Sequence, residues 1–307
     1  MRHIVQVDSG SDLDVAIDEY VLGNSAQEQE RLKMQGKFLE RWSEQFFLLA
    51  GLEPGMRVLD LGCGMGDVSL LAARLVGPSG HVTGIDRDPV IIEKARERVR
   101  DEGRDQQIEL VQTDLFAFHA NRSFDAVVGR YVLLFQTDPV AAIRHAAAQV
   151  RPEGILVFHE MDMANRVQSY PHRTLFEEIY SLIAETFQRC GYWVDLGLQL
   201  TRLFLEAGLP WPTIKAEVPV GGEPGSFIYR WYTEVFRSIL PRVEELGLGH
   251  ETDFKVDTLI ARMEAEARIH GAQLIGPLQF GAWARNRKDT QPPSGMPFVT
   301  TRYEAQR

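Results

Sequence analysis

A glycine-rich stretch constrains this chain more than any other feature. Residues 58–70 read VLDLGCGMGDVSL, with Gly62, Gly64 and Gly66 close together between two apolar runs. Glycine permits positive φ angles and a close approach to the bare backbone, and the unpaired N–H groups at a helix start bind polar ligands. The stretch therefore predicts a strand, a ligand-binding loop and a helix, in that order.

Short apolar runs, rich in β-branched residues, recur along the chain with helix patterns between them. Because they do not alternate with polar residues, they are typical of strands buried on both faces of a parallel sheet. We expect an α/β fold with a doubly wound, mostly parallel, seven-stranded sheet. The runs cover residues 57–61, 81–86, 108–112, 124–129 and 154–159, and two later candidates cover 213–220 and 274–285.

Helical patterns flank and interrupt this succession of strands. Residues 27–50 carry Leu32, Leu39, Trp42 and Phe46 on one face, which predicts an amphipathic helix. Two apolar stripes between the last two strands predict inserted helices that either cover a pocket as a lid or simply pack together. The predicted division is an N-terminal cap segment (1–36), an α/β core (37–222 and 274–290), an inserted helical lid (223–273) and a loose tail (291–307).

Composition argues against several classes of partner. The 307 residues include 33 Lys and Arg against 43 Asp and Glu, and nucleic-acid binding normally requires clustered positive charge. No apolar run reaches the ~18 residues of a membrane span. Cys63 and Cys190 lack the spacing of a metal or redox pair. We expect a cytoplasmic protein with a small-molecule substrate, without nucleic acid, membrane or metal; the inserted aromatic residues also suit a homodimer interface.

Three acids lie at or near the carboxyl ends of the first three predicted strands. Asp60 comes two residues before the first glycine, Asp86 closes the second strand in GIDRDP, and Asp114 closes the third in VQTDLF. At the carboxyl edge of a doubly wound sheet, Asp86 is placed to accept hydrogen bonds from ribose hydroxyls and Asp114 from an exocyclic amine. The dinucleotide motif requires glycine where Asp67 stands, which disfavours a nicotinamide-dependent oxidoreductase.

The series VLDLGCGMG, GIDRDP, QTDLF and FDAVVGRYVLLF resembles class I S-adenosylmethionine-dependent methyltransferases that act on small molecules, over residues 37–160. The resemblance implies a Rossmann-like methyltransferase fold with an antiparallel seventh strand, S-adenosylmethionine as cofactor and S-adenosylhomocysteine as product. It also implies cofactor-binding roles for Asp60, Gly62, Gly64, Gly66, Asp86, Arg87, Asp114, Leu115, Gly129 and Arg130.

Residues 20–35, YVLGNSAQEQERLKMQ, look like the cap of some bacterial members of that family. The resemblance implies that Tyr20 and Gln35 close over the cofactor. A tyrosine before a helix and a glutamine on its face also occur as packing or solvent-facing residues, so both interpretations stay open.

Candidate catalytic residues follow the fourth and fifth strands. His159 and Glu160, in FHEMD at the end of the fifth strand, are expected to face the pocket edge and are candidates for a base or a substrate contact. Tyr131 is a candidate for binding substrate or covering the cofactor. His159 is equally well explained as a strand-end histidine bonded to backbone. Methyl transfer chiefly requires that donor and acceptor be held in line away from water, and a base only when the acceptor must lose a proton.

The sequence thus predicts a methyltransferase that uses S-adenosylmethionine on a small, largely apolar or aromatic metabolite, most simply at oxygen. The alternative is a protein of the same fold that binds the cofactor without transferring its methyl group, for another reaction or for regulation. An open path between the sulfonium and the pocket distinguishes the first interpretation from the second.

Overall fold

A computed structural model describes residues 26–164, 168–172 and 174–287. Their strands are, in chain order, β1 (Arg57–Leu61), β2 (His81–Asp86), β3 (Ile108–Gln112), β4 (Phe124–Arg130), β5 (Val150–Asp162), β6 (Ser169–Tyr170), β7 (Thr213–Glu217), β8 (Val220–Gly221), β9 (Gln273–Ile275) and β10 (Leu278–Arg285). Their α-helices are α1 (Ala26–Ala50), α2 (Asp67–Val76), α3 (Pro89–Asp101), α4 (Pro139–Gln149), α5 (Thr174–Arg189), α6 (Leu196–Glu206), α7 (Phe227–Glu245), α8 (Glu251–Phe254) and α9 (Leu259–His270).

The centre of the molecule is a seven-stranded sheet with the order β3-β2-β1-β4-β5-β10-β7. Strands β1 to β5 pair in parallel, and β10 runs antiparallel to both β5 and β7. This confirms the predicted doubly wound, mostly parallel sheet of the Rossmann-like methyltransferase fold. Because the strand order reverses at β1, the loops after β1 and β4 leave the sheet in opposite directions and open a crevice at its carboxyl edge.

The first three strands have the predicted bounds, but two later strands are interrupted. The run 213–220 is divided into β7 and β8, with Pro219 between them, and the run 274–285 is divided into β9 and β10 at Gly276 and Pro277. Proline has no N–H to donate to a sheet and is therefore rarely found within a central strand. The short strands β6, β9 and β8 form a separate antiparallel sheet.

Aspartate caps fix the starts of α3 and α4 at the carboxyl edge. Asp88 accepts hydrogen bonds from the backbone N–H of Val90 and Ile91, and Asp138 accepts one from Ala141. A proline follows each aspartate at the first helical position, where its missing N–H costs nothing. The two helices thus begin at defined residues beside the crevice.

Helix α1 covers one face of the sheet and continues unbroken across the predicted boundary at residues 36 and 37. Its Leu39, Phe46 and Phe47 side chains are fully buried. On β5, His159 faces α1 through Ser43, whereas its neighbour Phe158 contacts Phe204 of α6. Since successive strand residues point to opposite faces, α1 and α6 cover opposite sides of β5.

The inserted helices are held over the carboxyl edge by α1 and α5. Tyr232 of α7 stacks on Tyr180 of α5, with ring centroids 5.4 Å apart, and Trp231 of α7 donates a hydrogen bond to Gln35 of α1. The division into cap, core and lid stays a prediction. None of the helices within the described ranges combines the length and apolar character that crossing a membrane demands.

The contact between α1 and β10 gives a first prediction. A Cβ at Gly281 would clash with the ring of Phe46, and overpacking of this kind typically costs about 1–3 kcal/mol. We expect Gly281→Ala to lower the free energy of unfolding by that amount in urea titrations. In a Phe46→Leu background the same substitution should cost less, because the ring has been removed; an equal cost in both backgrounds would contradict the assigned contact.

Candidate active site

A cavity of about 1250 Å³ lies at the carboxyl edge of the sheet, between the strand ends and the inserted helices. Its two ends differ in chemistry. The sheet side, formed by loops after β1, β2 and β3, includes Gly62, Gly64, Asp86, Arg87, Asp114 and Leu115. The lid side, formed by β5, α5, the segment after α5, and α7, includes Met161, Met163, Ile183, Phe187, Tyr192, Trp231, Tyr232 and Val235. Arg130 and Tyr131, after β4, also line the cavity.

The three predicted glycines adopt the backbone geometry that the sequence indicated. Gly62, Gly64 and Gly66 have φ angles of 58°, 51° and 79°, which side chains other than glycine rarely allow. At Gly64 a Cβ would meet no atom within 4 Å, so that position offers bare backbone to the cavity. Gly62 and Gly64 line the cavity, whereas Gly66 caps α2 and does not.

Asp86 joins the glycine loop to the end of β2. One carboxylate oxygen accepts the N–H of Gly64 at 3.0 Å, and the other accepts the N–H of Asp88 at 3.0 Å. Partial burial raises the pKa of this carboxyl group. Each oxygen retains lone-pair capacity, so Asp86 can accept a pair of ligand hydroxyls while it fixes the loop.

Asp60 lies under the glycine loop and does not line the cavity. Its Oδ2 atom accepts the Ser69 hydroxyl at 2.6 Å, while Oδ1 has no partner among the described residues. Burial raises the pKa of Asp60 to about 7, against the opposing effects of Ser69 and Arg130. A buried carboxylate with an unpaired oxygen is stabilised when a cation is bound nearby.

Arg130 presents a positive charge between the two sides of the cavity. Its guanidinium donates to Ser43 Oγ at 3.4 Å and to the carbonyl oxygen of Gly36 at 3.5 Å. Both partners are neutral, so the charge can pair with an anionic ligand group. The place of Arg130 beside the methionine part of the cofactor stays a prediction.

The other predicted cofactor residues divide into two groups. Arg87 and Asp114 are exposed on the sheet side, next to the half-buried Leu115, and Asp114 accepts the N–H of Phe116 at 2.8 Å. Gly129 is buried against Phe158 and does not line the cavity. Tyr20 lies outside the described residues.

Gln35 lines the cavity and connects α1 to the lid side. Its amide oxygen accepts both the Trp231 indole N–H, at 3.0 Å, and Arg31, at 2.6 Å. Arg31 also forms a buried ion pair with Glu28, at 2.6 Å, and Ser238 of α7 donates to the same carboxylate. The start of α1 and the inserted helix α7 are thereby joined by a buried polar network above the cavity.

His159 is placed differently from the expectation that it faces the pocket. It is fully buried, does not line the cavity, and is covered by α1, with its ring 5.0 Å from that of Phe46. Burial and the nearby Arg130 lower its pKa to about 3, so the ring is neutral at physiological pH. Strand alternation predicts that His159 and Glu160 point to opposite faces of the sheet, but it does not show whether each face is covered. A buried, neutral ring away from the cavity does not favour His159 as a general base.

Glu160 is also fully buried and away from the cavity surface. Its Oε1 atom accepts the backbone N–H groups of Val132 and Leu133 at 2.9 and 2.8 Å, and burial raises its pKa to about 8. These bonds hold the loop in which Tyr131 has a φ of 56°, a strained angle for tyrosine. The structure favours Glu160 as a residue that positions Tyr131.

Tyr131 is the one predicted catalytic candidate that lines the cavity. Its hydroxyl donates to Gln279 Oε1 at 2.5 Å, and burial raises the phenol pKa above its ordinary value. The hydroxyl is therefore protonated at physiological pH. Sequence analysis missed Gln279; the available signal was one polar side chain in the otherwise apolar run LQFGAW.

A family model described as a methyltransferase domain matches residues 52–207 of this chain. The chain belongs to the class I S-adenosylmethionine-dependent methyltransferases. This confirms the resemblance noted in the sequence, and S-adenosylmethionine is the cofactor of that family.

Similar proteins include an uncharacterised 37.1 kDa protein of transposon TN4556 from Streptomyces fradiae, 31% identical over 65% of this chain and 52% of that protein. The ubiquinone/menaquinone biosynthesis C-methyltransferase UbiE of Shewanella sediminis is 32% identical over 46% of this chain and 54% of its own. The match thus spans about half the length of these curated relatives. The YcgJ protein of Bacillus subtilis, 16% identical, has the same fold (TM-score 0.53, 80% of this chain and 99% of that one).

The role of Asp86 can be tested by calorimetric titration with S-adenosylhomocysteine. Asp86→Ala should weaken binding by about 1–3 kcal/mol, because the ligand hydroxyls lose a buried acceptor. Asp125→Ala is the matched control, since Asp125 bonds Arg57 and Arg151 at the opposite edge of the sheet. Equal affinity in the Asp86 variant and the wild type would refute the assignment.

Asp60 gives a prediction of pH dependence. Its folded pKa, about 7, exceeds the unfolded value of about 3.9, so the ionised carboxyl destabilises the ligand-free fold, and this contribution grows as pH rises from about 4 to 7. Asp60→Asn should remove this loss, by at most about 4 kcal/mol at pH 8, in urea unfolding without ligand. A parallel pH dependence in variant and wild type would contradict the buried, incompletely bonded carboxylate.

Proposed function

We propose that the protein transfers the methyl group of S-adenosylmethionine to a small, largely apolar aromatic acceptor, most simply at oxygen. The observation that carries the proposal is one continuous cavity, with a polar sheet side that fits the cofactor and an aromatic, aliphatic lid side. The proposal also assigns residues 223–273 the role of a lid. We also propose that the protein is cytoplasmic and that it forms a homodimer.

The residues of the sheet side suit each part of the cofactor. Asp86 would accept the ribose hydroxyls, Leu115 would contact the adenine ring, and Arg130 would pair with the carboxylate. The incompletely bonded Asp60 carboxylate and the open space at Gly64 support a cationic ligand lying against the loop. The bound cofactor supplies a methyl group already activated on a sulfonium.

The lid side provides the support for an aromatic acceptor. Its surface consists of methionine, isoleucine, valine, phenylalanine, tyrosine and tryptophan side chains, which bind planar apolar molecules by contact and stacking. The cavity of about 1250 Å³ exceeds the ~300–1,000 Å³ typical of a single-ligand pocket. It therefore has room for an acceptor beside the cofactor.

The proposed reaction is an in-line displacement. An electron pair on the acceptor oxygen forms the bond to the methyl carbon, and the carbon–sulfur bond breaks with its electrons remaining on sulfur. The acceptor proton is released to bulk water after the transfer, when the site opens. Products are the methyl ether and S-adenosylhomocysteine. The chain's own residues hold the two molecules together and exclude water, while the Tyr131 hydroxyl, protonated because of its raised pKa, acts through hydrogen bonding.

A carbon acceptor is the second candidate. It is favoured by the similarity to UbiE, whose name describes a C-methyltransferase of quinone biosynthesis. The same cavity would serve, because the displacement differs only in which acceptor atom provides the electron pair. Fragmentation of the methylated product in a mass spectrometer distinguishes an ether from a ring-methylated compound.

The test combines binding with turnover. The protein is titrated with S-adenosylhomocysteine, then incubated with methyl-deuterated S-adenosylmethionine and a panel of naphthols and hydroxynaphthoquinones, and labelled products are sought by mass spectrometry. We expect tight binding and labelled product from at least one acceptor. Binding without product from any of them would favour the alternative in which the cofactor is used without methyl transfer.

A variant that fills the lid side separates the two halves of the proposal. Met161→Trp should abolish turnover and leave the affinity for S-adenosylhomocysteine within about twofold, because the added ring occupies acceptor space and no sheet-side contact is lost. Ile269→Trp, on the exposed surface of α9, is the size-matched control. Undiminished turnover by Met161→Trp would contradict the location of the acceptor.

A further inference from the structure

A chain of hydrogen bonds runs under the cavity and connects Arg130 to Tyr131. Three of its members, Ser43, His159 and Gln279, are fully buried. Arg130 donates to Ser43 Oγ, Ser43 Oγ lies 2.9 Å from His159 Nδ1, His159 Nε2 lies 3.0 Å from Gln279 Oε1, and the Tyr131 hydroxyl lies 2.5 Å from the same oxygen. We call these five residues the Gln279 network.

One carbonyl group fixes the direction of the hydrogen bonds on both sides of Gln279. The Gln279 amide nitrogen donates to the Pro277 carbonyl at 2.9 Å, and a carbonyl can only accept. The amide oxygen therefore faces His159 and Tyr131, and both must donate to it. Buried polar groups that are fully paired in this way hold one arrangement.

The same logic determines the tautomer of His159. Because its Nε2 atom donates to Gln279 and the ring is neutral, its Nδ1 atom must accept, and Ser43 donates its hydroxyl proton to it. Ser43 Oγ is then free to accept from Arg130. The Pro277 carbonyl thus determines the orientation of the Gln279 amide, and through it the positions of the His159 ring proton and the Ser43 hydroxyl proton.

At the Tyr131 end of the Gln279 network, the hydroxyl proton is used in the hydrogen bond to Gln279. A phenol oxygen has one proton and two lone pairs, and Tyr131 lines the cavity. With its proton directed at Gln279, a phenol oxygen reached from the cavity would offer a ligand only lone pairs. It would present a bound acceptor molecule with a hydrogen-bond acceptor.

We propose that Gln279 is a positioning residue that orients the Tyr131 hydroxyl, so that the site selects acceptors bearing an O–H group and holds that group at Tyr131. This inference rests on the proposed function and narrows its substrate class to hydroxylated aromatic molecules. Arg130, which would bind the cofactor, belongs to the same network as Tyr131. The same hydrogen bonds would therefore position the residues that contact the cofactor and the acceptor.

Two probes that differ in a single hydrogen-bond donor test the selection. 2-Naphthol carries an O–H, and 2-methoxynaphthalene carries the same oxygen without a proton. Calorimetry in the presence of S-adenosylhomocysteine should show a two- to tenfold preference of the wild type for 2-naphthol, the effect of about one hydrogen bond. Tyr131→Phe should abolish the preference.

Gln279→Leu should change the preference in a way that a merely structural role would not. Without the amide oxygen, the Tyr131 proton is free to turn towards the cavity, so the preference should disappear or reverse in favour of 2-methoxynaphthalene. Gln149→Leu is the matched control, because Gln149 is a buried glutamine near another histidine, His145, and lies away from the cavity. It should keep the wild-type preference.

The tautomer of His159 provides a second and independent measurement. Nitrogen-15 spectra of histidine-labelled protein should show the Nε2–H form in the wild type and in Gln149→Leu. Gln279→Leu should favour the Nδ1–H form, with Ser43 now the acceptor.

Each result bears on one of the two proposals. A wild-type Nδ1–H tautomer, a 2-naphthol preference retained by Gln279→Leu, or failure of both probes to bind would overturn the inference. Failure of S-adenosylhomocysteine to bind the wild type would instead contradict the proposed function, because the spectra do not require a ligand.

Discussion

The place of β1 between β2 and β4 is the constraint on which the rest of the site depends. The chain leaves β1 towards β2 on one side, whereas β4 continues to β5 on the other side. The loops after β1 and β4 therefore diverge and leave the carboxyl end of β1 uncovered. The crevice is bounded by the glycine loop on one side and by Tyr131 on the other. Residues that interact with a ligand are therefore brought together by strand order, although they are far apart in sequence.

Polar groups buried beneath this crevice give it a definite shape. Glu160 holds the strained turn at Tyr131 through two backbone N–H groups, and His159 and Gln279 pair with each other under the same turn. Asp60 and Glu160 each keep one carboxylate oxygen without a partner among the described residues. Paired groups favour a fixed framework, whereas an incompletely paired carboxylate under the glycine loop, that of Asp60, is suited to binding a positively charged ligand.

The sequence predicted the regular, repeated features well. Strands buried on both faces of the sheet produce continuous apolar runs, so β1 and β2 were predicted to the residue. The bounds of β3 were also predicted to the residue, although it is an edge strand in which buried and exposed residues alternate. The positive φ of Gly62, Gly64 and Gly66 followed from residue type alone. Local signals of this kind need no knowledge of distant contacts. The predicted strands at 213–220 and 274–285 were too long, because the effect of Pro219 and Pro277 was underestimated.

Side-chain roles that depend on long-range packing were less accessible. His159 was expected at the pocket edge, yet α1 covers it, and no periodicity in residues 27–50 shows which strand residues that helix will cover. Gln279 and Ser43 acquire their importance only because β10 and α1 lie beside β5. In these cases the meaning of a residue depends on the topology, which the local sequence does not contain.

The central claim is that one cavity holds a methyl donor and an apolar acceptor side by side. A crystal structure of the protein with bound S-adenosylhomocysteine tests it most directly. The account predicts that the sulfur lies between Gly62 and Tyr131, with its open lone-pair direction pointing at the lid side, past Met161. A sulfur enclosed by protein atoms on that side would contradict methyl transfer and support the alternative in which the cofactor is bound for another purpose.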